Sequence, residues 1–486
     1  MAVDASATRA FVGSRVGTVL GQSAGTTLGG VPTLVAAFSA DLKTTTTPAT
    51  GQTPTFTRAT TATVLGYANT ANAADGQTVL SVASGEARFQ GARRTAEGVW
   101  STQFADGTPI PDAELLGYLA EGSRTNLILQ SAEFDTTWAT TRASVDDQFA
   151  VTDPAGGSTA DKLIEDSTPT SGHYISQSVT KAASALAYTY TIYVKAGQRT
   201  RFFVQADIGS GGTGGYVGFD VSGGQVAYGP TGLATPFTAL SASISSAGVQ
   251  GFYRCTFSFT TSTDTTLRIN MQLDNGSGTD AISASYSGDG TSGLYLWGAQ
   301  LEQAAFASTY QPTTTVAVTR NADVLTYPSA GVVNTTANTF YAEAVIADLR
   351  LTGGGGHVLD ADDNLVAAEN RIVLGQVAGT DPVSKRAATY IETANVAQAY
   401  ISDGVTTTWG TSAVRRIACA AATNDARQYV DGVADGTPDT AVTLPTVTHI
   451  RIGGSVEGVG YETYGTVRNL RIYGSALTAA QIASLP

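Results

Sequence analysis

Two segments of this chain set hydrogen-bonding side chains at every second position. In LRINMQLD (267–274), Leu267, Ile269, Met271 and Leu273 alternate with Arg268, Asn270, Gln272 and Asp274. In RFFVQADI (201–208), Phe202, Val204, Ala206 and Ile208 alternate with Arg201, Phe203, Gln205 and Asp207. A period of two places one set on each face of a strand. The outward set Arg201, Gln205, Arg268, Asn270 and Gln272 offers planar groups that bond hydroxyls in pairs, and Tyr193 projects from YTIYVK on the face opposite Tyr190 and Ile192. Planar polar groups combined with an aromatic ring against an apolar face suit a sugar. Laid side by side, these strands would form one polar platform. The same residues are also what any half-exposed sheet shows to water, and periodicity does not separate the two readings. Trp138, His173 and Tyr174 fall in loop-like segments, where exposed aromatics make stacking surfaces. Trp138 fits equally well as a plug closing one end of a packed core, and Trp409 lies in a turn-rich stretch with no supporting neighbour.

Metal and catalytic chemistry have fewer residues to draw on. HVLDADDNL (357–365) gathers Asp360, Asp362, Asp363 and Asn364 in what reads as one loop. Oxygen donors of this kind suit Ca2+, but the spaced Gly and distal Glu of an EF-hand are missing, and an acidic solvated turn is the competing account. Three histidines, His173, His357 and His449, stand apart from any GxSxG, HExxH or paired-Cys pattern, so no catalytic residue is assigned and no enzyme is expected. The carboxylate separation that a glycosidase needs belongs to the fold, so a polysaccharide-cleaving reading stays open. The glycine runs at 209–215 and 353–356 lack a P-loop Lys and read as loop tips.

The elements that must position these residues are strands. Short alternating segments punctuated by Gly, Asn-Gly, Asp-Gly and Pro predict an all-β chain, with one short helix at LTAAQIASLP. At 486 residues the chain exceeds one ordinary core. The expected order is an N-terminal attachment arm (1–50), a small β connector (51–123), a first β-sandwich (124–312), a linker (313–336) and a second β-sandwich (337–486). Charged residues make up only 14%, so the surface must be built of hydroxyls and glycine turns. The net charge of −13, with no basic run longer than Arg93-Arg94 or Arg415-Arg416, argues against nucleic acid and anionic membrane as partners. No apolar run of signal-peptide or membrane-spanning length is seen. Cys255 and Cys419 fall in different expected domains and read as buried thiols.

Several segments resemble a known module. EGSRTNLILQSAEFDTTW (121–138), KAGQR (195–199), GFYRC (251–255), GDGTSGLYLWGAQLE (288–302) and STYQPTTTVAVTRNADV (308–324), with the preceding FTRATTAT and GEARF, resemble a module of bacteriophage head-spike and tail-fibre proteins. That module is similar in pattern to jelly-roll carbohydrate-binding domains. ARQYVDGV (426–433), IRIGGS (450–455) and GTVRNLRIYGSALTAAQIASL (465–485) resemble the concanavalin-like, laminin-G-type sandwich. The resemblance implies a virion-exposed structural fibre or spike, docked on capsid or tail proteins by its N-terminal region and binding host surface polysaccharide. Homo-oligomers are the rule in such proteins, a trimer first and a pentamer second. It also implies Glu133 and Asp289 near a structural Ca2+. The rival roles are a decoration protein with no external ligand and a polysaccharide-degrading spike.

Overall fold

The computed structural model describes residues 36–486, apart from 70–71, 73, 75, 149–150, 210–211, 248–249, 277–284, 347–354, 367–369, 377–385, 403–413 and 458–460. Residues 37–486 form one compact unit, and within it the chain is all-β, with two β-sandwiches and the short helix Ala479–Ala483. Thr478 caps that helix through a reciprocal capping box with Gln481. No helix among the described residues is long and apolar enough to cross a membrane. Both cysteines are buried free thiols.

The alternating segments form the sheets that their pattern predicts. In the first sandwich the front sheet runs Ala139–Thr141, Tyr174–Thr180, Thr266–Asp274, Arg201–Asp207, Thr213–Asp220, Gln225–Gly232. The back sheet runs Ala143–Asp146, Asp161–Glu165, Gly293–Glu302, Ala187–Lys195, Phe252–Thr260, Thr238–Ser246. Leu267, Ile269, Met271, Leu273, Phe202, Val204 and Ala206 of the front sheet meet Tyr190, Ile192, Cys255, Phe257 and Leu296 of the back sheet in one core. Each of the larger apolar side chains removed from water here contributes about 1.5–3 kcal/mol before chain entropy is set against it.

The second sandwich draws strands from both ends of the chain. Its eight-stranded sheet includes Phe38–Ala40, Phe89–Gln90 and Gly117–Ala120 beside Gly465–Tyr473 and Ala337–Ile346. Its seven-stranded sheet begins with Thr55–Thr57 against Val324–Pro328, which pairs in turn with His449–Ile452. The segments expected as attachment arm, connector and linker thus all supply strands to this sandwich, and Phe38, Phe89, Tyr118, Leu325 and Tyr327 join Phe340, Ile450 and Ile472 in a single core. The chain builds part of this sandwich, leaves it to form the first sandwich, and returns. The exit and return strands, Arg124–Asn126 and Val318–Arg320, pair antiparallel.

A buried ionic cluster lies beside that crossing. Arg58, Arg88 and Arg320 surround Asp323 and Glu121, and the side chains of Arg58, Arg88, Arg320 and Asp323 are fully buried. Asp323 accepts from Arg58 Nη1 at 2.8 Å and from Arg88 Nη2, while Glu121 takes the Thr309 N–H at 2.9 Å and hydroxyl at 2.6 Å. Burial alone would raise the Glu121 pKa, but Arg320 and Arg88 hold it down at about 2.

Candidate functional site

The two outer faces of the first sandwich have different fates. On the back sheet, Tyr193, Trp297 and Tyr310 pack against one another, with ring centroids 4.7–6.2 Å apart, and Val79 from the hairpin Ala62–Gly66/Thr78–Val82 joins them. Gly298, at φ +64°, makes this possible: a Cβ there would lie 2.9 Å from the Tyr193 ring. Tyr193 does project opposite Tyr190 and Ile192, but its strand belongs to the back sheet and its ring is covered. It does not join the polar row.

The front sheet brings that row together. Gln205 lies opposite Asn270, which lies opposite Ser176; Phe203 lies opposite Gln272, which lies opposite Tyr174; Arg201 lies opposite Asp274. Tyr174, Arg201, Gln205 and Arg268 are half-exposed, whereas Asn270 and Gln272 are buried between their neighbours. The row is tied down from within. Asp207, fully buried, accepts from Arg268 Nε and Nη2 at 2.9 Å each, from Asn270 Nδ2 at 2.8 Å, from Gln205 Nε2 at 2.7 Å and from the Gly209 N–H at 2.6 Å. Arg268 is therefore held as a fork on a buried carboxylate, and Asn270 Oδ1 is left buried without a partner.

One aromatic flank was read only in part from the sequence, which set Phe203 outward but not Tyr216 or Tyr228. Phe203 and Tyr216, both buried, and the half-exposed Tyr228 cluster on the same face, with Tyr216 and Tyr228 stacked at 5.9 Å. Gly218 leaves the space for them, since a Cβ there would lie 2.9 Å from the Phe203 ring. Burial and the hydrogen bond with Tyr228 push the Tyr216 hydroxyl up to about 12, so it stays a donor at any ordinary pH. The alternation in GYVGFDV, with Val217 and Phe219 inward, would have placed Tyr216 here.

The other expected residues lie elsewhere. Trp138 packs in the core on Phe134, centroids 5.1 Å apart, and its Nε1 donates to the Gln130 carbonyl at 3.3 Å. His173 is buried on Tyr286, with Nδ1 2.6 Å from the Arg142 carbonyl oxygen. Trp409 lies outside the described residues. Glu133 is exposed beside Asp161, at the start of the strand Asp161–Glu165. Asp289 lies beyond that strand's other end, where its carboxylate accepts from Thr291 and Ser292 and approaches Arg199 at 3.7 Å. The structure does not bring Glu133 and Asp289 into one ligand set.

Asp360 and Asp362 are not loop residues. They lie on the same face of the fully buried strand His357–Asp362. Asp360 pairs with Arg371 at 2.7 Å and Asp362 with Arg451 at 2.7 Å. Carboxylates committed to arginines are poor cation ligands. Among the described residues, no group of three or more His, Cys, Asp or Glu is arranged to hold a metal.

Asp161 has its own consequence. Burial, with Asp135, Glu133 and Asp147 nearby, raises its pKa to about 7, although the Phe134 N–H donates to it at 2.6 Å. A carboxyl with a raised folded-state pKa favours the fold most below about pH 4, and that advantage is lost as pH rises through about 7. Thermal midpoints of the wild-type chain should fall between pH 5 and pH 8, and Asp161→Asn should flatten that fall. Equal slopes for the two proteins would count against this assignment.

A cleft of about 450 Å3 opens where the hairpin and the two sandwiches meet, lined in part by Glu121, Tyr193, Arg254 and Tyr464. Glu121 is held by arginines there and Arg254 Nη2 donates to the Ser308 carbonyl at 2.6 Å, so the main charged groups of this seam are already hydrogen-bonded within the protein.

These two sandwiches make this an all-β protein. Residues 366–483 match a family model described as the concanavalin A-like lectin/glucanases superfamily (Laminin_G_3). No curated protein sequence matches the chain. Among solved structures, domain 4 of AbnA, a GH43 extracellular arabinanase from Geobacillus stearothermophilus, in complex with arabinotriose, is 13% identical over 37% of this chain and 80% of its own, with a TM-score of 0.26. The CBM40 of the Ruminococcus gnavus IT-sialidase, bound to sialyllactose, is 12% identical over 31% and 82%, with a TM-score of 0.25. The tandem CBM22 domain of Paenibacillus barcinonensis Xyn10C is 10% identical over 74% and 100%, with a TM-score of 0.22. Likenesses this distant carry no argument about ligand or activity.

Proposed function

We propose that the chain is a virion fibre or spike subunit that binds host surface glycan through the front sheet of its first sandwich. The observation that carries this reading is the asymmetry of the two outer faces. The back face is covered through Tyr193, Trp297 and Tyr310, whereas the front face presents Tyr174, Arg201, Gln205 and Arg268 half-exposed beside the Phe203–Tyr216–Tyr228 cluster. Side chains held by a buried carboxylate lose little freedom on meeting a ligand, which favours affinity. Arg268 is charge-balanced by Asp207 and Arg201 lies 3.7 Å from Asp274, so the face suits a neutral polyhydroxylated chain better than a polyanion. The virion setting rests on the segment resemblance, and the lectin-like match of residues 366–483 is compatible with a second glycan contact.

Binding is favoured over cleavage because Asp207, the carboxylate central to this face, is fixed by five donors and cannot shuttle a proton. The test is to incubate the purified full chain with host cells and with their extracted surface polysaccharide. Saturable binding, together with blocked particle adsorption, is the expected result. Release of new reducing ends would make the protein a depolymerase. Failure of the folded chain to bind either material would leave decoration of the particle as the better account.

A further inference from the structure

The cleft between the hairpin and the two sandwiches is walled by one row of residues from each sandwich. On the outer face of the back sheet, Ser245 lies opposite Arg254, which lies opposite Tyr193. On the eight-stranded sheet of the second sandwich, Val345 lies opposite Thr466, which lies opposite Leu119. The second row is buried and apolar but for Thr466, whose Oγ1 has no partner. Arg254, half-exposed, supplies the charge. Its Nη2 is anchored, donating to the Ser308 carbonyl at 2.6 Å and to Thr191 Oγ1 at 3.3 Å, and its guanidinium lies 5.7 Å from the centre of the Tyr193 ring. Its Nε is buried without a partner, and Nη1 makes no hydrogen bond to a described residue. Among the described residues no carboxylate forms an ion pair with Arg254. Glu302 acts on it only at longer range, and full burial draws the Glu302 pKa above the ordinary carboxylate value. The other charged residue of the walls, Glu121, is already neutralised by Arg88 at 2.9 Å and Arg320 at 3.5 Å. In a chain of net charge −13, the unneutralised charge on this cleft is positive.

We propose that the cleft binds a small organic carboxylate with a compact apolar body, its carboxylate on Arg254 and its body between Val79, Leu119 and Val345. A largely apolar cleft of about 450 Å3 between packed units, with a few fixed polar groups, is the usual form of a small-molecule site. An arginine already held by one nitrogen loses little freedom when its remaining donors meet an anion, and a charge-assisted hydrogen bond is about twice as strong as a neutral one. A single guanidinium balances one negative charge. A phosphate dianion would carry a second charge into apolar walls beside Glu121, with nothing to pair it. The site lies behind the back sheet, on the opposite side of the sandwich from the polar row, and does not depend on the glycan reading.

Isothermal titration of the full chain with cyclohexanecarboxylate and with its neutral amide tests it. The wild-type chain is expected to bind the carboxylate saturably and about tenfold more tightly than the amide, the scale of one hydrogen bond to a charged group. Arg254→Met keeps the length of the side chain without its charge, and should bind the two compounds equally weakly. Ala307→Phe fills the cleft from a half-exposed position on its wall and leaves Arg254 in place, so it should exclude both compounds. Should Arg254→Met fail to fold, because Ser308 loses its donor, wild type and Ala307→Phe with the same two compounds decide the matter. No saturable binding by the wild type, equal affinity for acid and amide, or carboxylate binding that survives Ala307→Phe overturns the proposal.

Discussion

Asp323→Ala should destabilise the protein by about 3–5 kcal/mol, the cost of breaking a buried ion pair by removing one partner. The effect belongs at the top of that range because the carboxylate serves three arginines, and Arg58 and Arg88 have no exposed route to water. Glu121 would remain as the only acid of the cluster, held by Arg88 and Arg320. Asp323→Asn, which keeps the shape and an acceptor but not the charge, should fall between the wild type and the alanine variant. Both are read from denaturant midpoints, and loss of the cluster should also loosen the paired strands Arg124–Asn126 and Val318–Arg320. A midpoint unchanged by Asp323→Ala would mean that the crossing is held by packing alone. Glu121 adds a pH signature. Its lowered pKa means that its contribution is complete above about pH 4.5 and is lost as the pH falls toward 2.

The second large effect is expected at Asp207. Asp207→Ala removes the acceptor for Arg268, Asn270, Gln205 and the Gly209 N–H together. Arg268 is about a quarter exposed and can turn to water, so the cost should be smaller than at Asp323, about 2–3 kcal/mol. The consequence for binding should be larger than the consequence for stability. With its anchor gone, the polar row becomes mobile, and affinity for polysaccharide should fall well over tenfold even at temperatures where the chain is fully folded. A variant that loses stability but keeps affinity would separate the Asp207 network from the binding face.

Much of the first sandwich was legible because the period-two signal survives wherever a strand has one apolar face, as in Leu267–Leu273 and Phe202–Ala206. What the pattern could not carry was which sheet each strand joins. Tyr193 has the outward phase that alternation predicts, yet the sheet partition sets it under a hairpin from the N-terminal part of the chain. The acids of HVLDADDNL read as a turn because charge density resembles solvation; arginines from two neighbouring strands let Asp360 and Asp362 be buried instead. The segments that carried the family resemblance, FTRATTAT, GEARF, EGSRTN and TRNADV, contribute Arg58, Arg88, Glu121, Arg320 and Asp323. Their shared chemistry is the buried ionic cluster at the crossing, which only the fold assembles from positions over 260 residues apart.

The most direct test of the glycan-binding face is equilibrium binding of the full chain to extracted surface polysaccharide, comparing wild type with Tyr174→Ala and Gln205→Ala. Tyr174 is half-exposed, so its change should leave the thermal midpoint nearly unmoved, whereas Gln205→Ala removes one of the five donors to buried Asp207 and should lower the midpoint without unfolding the chain. The account predicts that each variant loses about tenfold in affinity, or about 1.4 kcal/mol. Wild-type affinity in both variants, with the fold intact, would contradict it and move the search to the second sandwich.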